Sequence, residues 1–487
     1  MTLEKGDKGF KPLALMLGRI TRVHLVGIGG AGMSGIAEIL LSLGFEVSGS
    51  DLRAGKATER LADLGARITI GHSAKNVVGA GVIAVSTAIP PDNPEVVAGR
   101  KYNIPVINRS EILVEIMRLK YPIAVAGTHG KTTTASFIYT ILTDGGLEPT
   151  AVIGGKLNAL RSKTEPNGNG RAIGTGASLG AGDYFVVEAD ESDGTFLAIS
   201  PAYALVTNID EDHLNYYSGL DDIRASFIRF ANSVPFYGAT IVCLDDPVVQ
   251  GILPELKRRY ITYGFTTQCD VIGRELRLMP MSASYKLYRG SELLGEVDLN
   301  LPGRHNVLNS LGAAALALEL GVAPETIIKS LRSFKGIEMR LEVVGHIGDI
   351  TVIHDYAHHP AEIAATLDAM RTGWDRRIVA VFQPHRYTRT KALFDRFLRC
   401  FYQADRLIIT DIYPAGEPEI PGVSAEALAK GVAEHGHREV TFIRDRRKIP
   451  EAVAGMVADD DLVLVLGAGN IWETARDIAK KLSEERG

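Results

Sequence analysis

Apolar residues along this chain fall into short uninterrupted runs, separated by stretches in which they recur every three or four positions. From residue 22 to about 120 the runs are RVHLVGI, FEVSGSD, GVIAVST and PVIN. They are too uniformly apolar for strands with one wet face, and so predict a parallel sheet covered by helices on both sides. The helical stretches between and after them are GMSGIAEILLSLG, NPEVVAGRKYN and SEILVEIMRLK, with Ser110 placed as a helix N-cap. This alternation predicts a doubly wound α/β unit over residues 1–120.

The pattern then repeats. YPIAVAGTHGKTTTASFIYTIL reads as strand, glycine turn and helix, followed by strands in YFVVEADESD, YALVTNIDEDH and ATIVCLDD and a helix in HNVLNSLGAAALALELG. Residues 157–182, rich in glycine and polar residues, read as a loop, and the shorter alternating segments of 270–300 as a small antiparallel addition. A third α/β unit has strands in ITVIHDYA, RRIVAVFQPH, RLIITDIY, EVTFI and DLVLVLGAG. The predicted domains are 1–120, 121–336 and 337–487. That count agrees with the 487-residue length, because a domain takes about 150 residues.

Composition narrows the classes. A net charge of −5 leaves no basic excess for binding nucleic acid. No run approaches the ~20 apolar residues of a membrane span, and the N-terminus keeps charges through its short apolar patch, unlike a signal peptide. Cys243, Cys269 and Cys400 lie far apart without metal-type spacing and read as reduced buried thiols. These features predict a soluble cytoplasmic protein.

Candidate chemistry lies at the strand ends. Gly27, Gly29 and Gly32 fit G-x-G-x-x-G, and Asp51 closes the next strand where a ribose-binding acid belongs. Taken alone, this favours a dinucleotide and an NAD-dependent dehydrogenase. GTHGKTTT (127–134) supplies the parts of a second phosphate cradle: glycines that turn backbone N–H groups inward, a lysine, and a hydroxyl for Mg²⁺ at a helix start. Lys131 and Thr132 take the last two roles, although Val125 stands where the strict P-loop pattern has its first glycine. VVEADESD and TNIDEDH each end a strand in acids, with Glu188 the best metal ligand; His213 reads as structural or as a ligand. Asn306 reads as an N-cap or a base contact. The set Asp355, Tyr356, His358 and His359 lacks the further ligands of a zinc site. Arg386 and Arg389 suit a carboxylate or phosphate, or begin a solvated helix.

Seven strings in this order, GIGGAGMSG, GTHGKTTT, EADESD, TNIDEDH, GRHN, DYAHHP and QPHRYTRT, resemble the Mur ligase family, ATP-dependent amide-forming enzymes of cell-wall precursor synthesis. The resemblance runs from about residue 22 to 390 and implies an N-terminal Rossmann-like domain for a UDP-sugar, a central P-loop-type ATPase domain and a C-terminal Rossmann-like α/β domain. QPHRYTRT and Phe227, which stands where other branches carry a carbamylated lysine, resemble the alanine-adding branch. The implied reaction joins L-alanine to the lactyl carboxylate of UDP-N-acetylmuramate through an acyl phosphate, with ATP and Mg²⁺, in a monomer or weak homodimer that contacts no membrane.

By motif match the resemblance implies ATP contacts at Gly127, Thr128, His129, Gly130, Lys131, Thr132, Thr133, Asn306, Arg340 and Asp355. It implies metal ligands at Thr132, Glu188 and His213, the last serving a second Mg²⁺. Gly29, Gly30, Ala31, Gly32, Met33, Ser34, Asp51, His72, Ser86 and Thr87 would line the UDP-sugar. Tyr356, His358, Arg386 and Arg389 would surround the amino acid, and Lys131, His213 and Arg386 would carry catalysis. His354, Ala357 and Met339 depart from the residues common at their positions. The alternatives are a murein tripeptide ligase on the same UDP-sugar, the dehydrogenase, and a nucleotide-sensing regulator.

Overall fold

In a computed structural model the structure describes residues 20–86, 88–154, 177–192, 194–214 and 216–486. The N-terminal segment, Thr87 and most of the predicted 157–182 loop lie outside them. The end of that predicted loop is not loop: Ala177–Ser178 forms a short strand antiparallel to Thr150–Val152.

Five parallel strands make the N-terminal sheet, in the spatial order third, second, first, fourth, fifth. The four predicted apolar runs are the first, second, fourth and fifth of these. The third, Arg67–Ile70, is a half-exposed edge strand that apolar content alone does not reveal. The order reverses between the first strand, Arg22–Val26, and the fourth, Val82–Val85. The crevice beyond their carboxyl ends is therefore where such sheets take ligands. The glycine turn before helix Ala31–Ser42 sits there. Helix Arg109–Met117 starts earlier than predicted: Asn108 is its cap, with Glu111 accepting the Asn108 N–H at 2.9 Å, so Ser110 lies inside the first turn.

The central sheet has ten strands. Tyr121–Ala126 lies between Tyr203–Val206 and Tyr184–Glu188, all parallel, so the two acid-rich strand ends flank the phosphate loop on either side. The 270–300 segment forms three antiparallel strands, Val271–Met279, Ser282–Arg289 and Glu292–Leu299, that extend one edge. In the helix Arg304–Glu319 the cap is Gly303, and Asn306 stands in the first turn rather than at the cap. The C-terminal sheet has six strands: five are parallel and the sixth is the antiparallel edge strand Glu342–Ile347, which was not predicted. All three cysteines are buried free thiols.

The two domain junctions differ. One apolar cluster runs unbroken from the N-terminal unit (Ile36, Leu40, Ile112, Ile116) into the central one (Phe185, Phe196, Phe227, Phe230). The C-terminal domain instead has apolar clusters of its own on each face of its sheet. It meets the central domain through polar groups, the Met281 side chain and close approaches of helix Pro360–Gly373, where a side chain at Gly303 would press on Ala369 and one at Gly373 on the Met279 carbonyl.

Candidate active site

Strand Tyr121–Ala126 runs into a loop whose shape depends on two glycines. Gly127 (φ +136°) and Gly130 (φ +80°) have backbone conformations closed to most side chains, and a Cβ at either would strike Thr207 or the Asn309 amide. The neighbouring TNID segment clamps this loop. Asn208 accepts from the His129 N–H (2.8 Å) and donates to the His129 carbonyl (3.0 Å), and Thr207 Oγ1 donates to the same carbonyl (2.6 Å). The Asp210 N–H donates to Thr128 Oγ1 at 2.8 Å. A loop so fixed opens onto helix Lys131–Asp144, whose N-terminus favours anions.

Lys131 is folded back on its own loop. Its ammonium donates to the carbonyls of Gly127 (2.7 Å) and Thr128 (3.2 Å) and to Glu191 (2.9 Å). Burial alone would lower the Lys131 pKa; Glu191 and Glu188 outweigh it and the net direction is up. Burial pushes Glu191 up to about 7 despite that ammonium. Thr132 Oγ1 donates to Glu188 Oε1 at 2.8 Å, and the other Glu188 oxygen accepts the Gly154 N–H. A hydroxyl and a carboxylate converging at a phosphate loop form an oxygen donor set that suits Mg²⁺. His213, at φ +53°, points Nε2 towards Glu191 and Asp212, each 3.6 Å away.

Two clefts meet at this loop. One, of about 880 Å³, is lined by Thr132, Asn306, Asn309, Ile337, Arg340, Asp355 and Thr366. The Asp355 carboxylate there accepts the N–H groups of Leu341 and Ala357 (2.8 Å each), and Arg340 lies over the Tyr356 ring at 5.0 Å. The other, of about 3030 Å³, has walls from all three domains: Gly32 and Arg109, then Lys131, Glu188 and His213, then Tyr356, His358, Arg386 and Arg389. His129, Arg340 and Glu362 line both.

The two arginines of QPHRYTRT are not equivalent. Arg389 is nearly buried and committed, to Asp212 (3.3 Å) and to His385 Nδ1 (3.2 Å). Arg386, at φ +69°, leaves 47% of its side chain exposed, with Glu417 at 3.7 Å. It is the one free to take a new anion. Burial opposes the charge on Asp212, but Arg389 beside it holds the carboxyl well below its usual range.

Further polar pairs join the central and C-terminal domains. Arg396 donates to both oxygens of Asp210 (2.9 and 2.8 Å), and His129 sits between Asp210 (3.5 Å) and Glu362 (3.2 Å). Burial opposes a charged His129, yet these carboxylates raise its pKa to about 9. His129, Asp210 and His359 are also close enough to share a cation. Arg396 already occupies both Asp210 oxygens and His359 Nε2 faces the Glu211 carbonyl at 3.2 Å, so the group is a latch between domains.

At the N-terminal turn the Gly29 N–H donates to Asp51 at 2.9 Å, and a side chain at Gly32 would run into the Arg109 guanidinium. The Met33 and Ser34 side chains are buried, and their N–H groups donate to the Gly30 carbonyl. Ser86 Oγ accepts the Ala88 N–H. His72 Nδ1 meets Ser50 Oγ at 3.0 Å, and Ser50 donates to the fully buried Glu95 at 2.6 Å. Phe227 is fully buried against Phe196.

Arg109, Glu191, Asn208 and Glu362 escaped the sequence reading. Glu191 had a signal, being one of four acids in EADESD; which of them turns inward is decided after the strand ends. Glu362 and Arg109 are ordinary surface types on helices, and only the packing of one domain on another gives them a role.

Fold and site define a three-domain nucleotide-dependent enzyme whose Lys131 loop faces a glycine-rich turn at a helix start on one side and a basic pocket on the other. The Mur ligase family catalytic-domain model matches residues 22–121, the Mur ligase middle-domain model 125–317, and the Mur ligase glutamate-ligase-domain model 339–469. A UDP-N-acetylmuramate–L-alanine ligase of Geotalea daltonii is 52% identical over 469 residues, covering 96% of this chain and 100% of its own. That of Geobacter sulfurreducens is 50% identical, covering 97% and 100%. The crystal structure of UDP-N-acetylmuramate-alanine ligase from Thermotoga maritima superposes with a TM-score of 0.76 at 26% identity, covering 95% of this chain and 99% of that one. The chain belongs to the Mur ligase family.

Proposed function

We propose that this protein joins L-alanine to the lactyl carboxylate of UDP-N-acetylmuramate, using ATP and releasing ADP and phosphate. One observation carries the reading: a single cleft is walled by the N-terminal turn, the phosphate loop and the basic C-terminal pocket. The full-length similarity to L-alanine ligases favours alanine over a tripeptide. Membership of the family sets aside the dehydrogenase suggested by the N-terminal turn.

The UDP-sugar lies at that turn, where the helix N-terminus and Arg109 take its pyrophosphate. ATP places its adenosine in the smaller cleft by Asn306, Arg340 and Asp355, and its phosphates on residues 127–133. Lys131 leaves Glu191 for the transferring phosphoryl group and offsets the charge that develops there. Thr132 and Glu188 would hold Mg²⁺, with His213 a further ligand. When bound, the ion supplies positive charge to the phosphate oxygens. The lactyl carboxylate oxygen attacks the γ-phosphorus, giving the acyl phosphate and ADP. Arg386 grips the carboxylate of alanine, whose amine then attacks the acyl carbon and expels phosphate.

No helix among the described residues is long and apolar enough to cross a membrane. We place the protein in the cytoplasm, as a monomer or weak homodimer. The test is phosphate release with ATP, UDP-N-acetylmuramate and, in turn, each amino acid and the murein tripeptide. Release that requires both the UDP-sugar and L-alanine is expected. Turnover indifferent to both, or selective for the tripeptide, overturns the reading.

A further inference from the structure

The reaction needs an amine with a free lone pair, whereas alanine arrives as an ammonium ion at neutral pH. Some group in the large cleft has to take a proton from it. The histidines around the clefts are placed to answer differently.

His129 is held between two carboxylates and is protonated, so it has nothing to accept with. His359 accepts the Ala361 N–H on Nδ1 and turns Nε2 to the Glu211 carbonyl, so both ring nitrogens are used inside the protein. His385 accepts from Arg389 on Nδ1 and stacks on Tyr413, with ring planes 8° apart; its remaining nitrogen is therefore the N–H. His213 faces the acids beside Lys131. His305 lines the smaller cleft.

His358 is different. Its Nδ1 lies 3.0 Å from the Tyr356 carbonyl, which can only accept, so Nδ1 carries the proton. The Glu362 carboxylate stands 3.4 Å from the same nitrogen and also accepts the His358 backbone N–H at 3.1 Å. The lone pair is therefore on Nε2, which makes no hydrogen bond among the described residues, and the ring lines the cleft that holds Arg386, Lys131 and His213. A ring with one nitrogen tied to a carbonyl beside a carboxylate, and the other left unbonded on the wall of the reacting cleft, is the arrangement of a general base.

We propose that His358 is the general base that takes a proton from the α-ammonium of the incoming amino acid, with the Tyr356 carbonyl fixing its tautomer and Glu362 holding its backbone in place. The proposal rests on the ligase reading above. The N–H bond electrons become the amine lone pair as the proton passes to His358 Nε2. That pair forms the C–N bond at the acyl carbon, and the C–O bond to phosphate then breaks, its electrons leaving with the phosphate. The departing phosphate takes the second nitrogen proton. Burial keeps the imidazole neutral, at about 4, against Glu362; Arg389 acts in the same direction as burial, and Asp212 in the opposite one. Because Glu362 also binds His129 of the phosphate loop, one carboxylate touches both the ATP side and the amine side.

The test compares two nucleophiles on His358→Asn. Hydroxylamine has a neutral nitrogen at pH 7 and needs no base, so it traps the acyl phosphate as a hydroxamate. The variant should lose about 10²–10⁴-fold in alanine ligation. It should keep a stoichiometric burst of ADP and form hydroxamate at the native rate. Alanine ligation at the native rate in His358→Asn overturns the proposal. So does parallel loss of hydroxamate formation, which marks a structural role. If the native protein itself makes no hydroxamate from UDP-N-acetylmuramate and ATP, the ligase reading falls and the proposal with it.

Discussion

The central domain meets its two neighbours through opposite chemistry. Toward the N-terminal domain the contact is a continuous apolar core, with Ile112 and Ile116 in one cluster with Phe196 and Phe227. Toward the C-terminal domain it is a row of ion pairs: His129–Glu362, Asp210–Arg396 and Asp212–Arg389. Apolar burial is non-directional and carries no charge to titrate, whereas ion pairs depend on pH and, where more exposed as at Asp210–Arg396, weaken with salt. The N-terminal junction is thus held by packing and the C-terminal one chiefly by charge. Met339 and Leu341, both at positive φ, lie where the chain crosses between the central and C-terminal sheets, beside the cleft that Arg340 and Leu341 line, and such strain gathers at functional sites.

The largest expected effect separates the two sides. Lys131→Ala should lower the rate of acyl-phosphate formation about 10³-fold while UDP-sugar affinity, measured by calorimetry, stays native. A matching loss of that affinity would mean the sides are not separable. Next is Arg389→Ala, which strands buried Asp212 without its partner. A fall of about 10²-fold in kcat/KM for alanine is expected, and an unchanged value would remove the ion pair from the working site. At the apolar junction, Ile116→Ala should cost about 2 kcal/mol of unfolding free energy in urea, with steady-state kinetics spared.

Smaller effects come from pH. His129 is raised from 6.5 to about 9, so its contribution to stability is complete below about 6.5 and is lost as pH climbs through 9. Glu95 is the reverse case. Burial works against its charge, but His24, Ser50, Asn76 and Ser73 bring it from 4.5 down to about 2; its contribution is present above 4.5 and lost as pH falls towards 2. Melting curves should therefore show an alkaline limb that His129→Asn flattens and an acid limb that Glu95→Gln flattens; limbs unchanged in both variants would remove these two groups from the pH dependence.

The apolar runs and glycine turns were readable because each carries a strong local requirement. RVHLV and YPIAVA are buried on both faces, and Gly127 and Gly130 hold conformations that other residues avoid. What was missed lacks such a requirement. Arg67–Ile70 and Glu342–Ile347 are largely exposed or half-exposed sheet edges, whose strand character comes from their neighbours. Ser110 and Asn108 are both good caps, and the reciprocal bond with Glu111 decided between them. In the site, GTHGKTTT announced itself as a phosphate loop. That Lys131 rests on Glu191, or that Arg389 is spent on Asp212 while Arg386 is open, depends on segments far apart in the chain.

In the proposed reaction a carboxylate is activated by phosphorylation before the amide bond forms. The most direct measurement uses UDP-N-acetylmuramate labelled with ¹⁸O in its lactyl carboxylate, turned over with ATP and L-alanine, followed by mass analysis of the phosphate released. One labelled oxygen should pass from the carboxylate into inorganic phosphate, with ADP as the other product. Unlabelled phosphate, or the label emerging in AMP, would contradict the account.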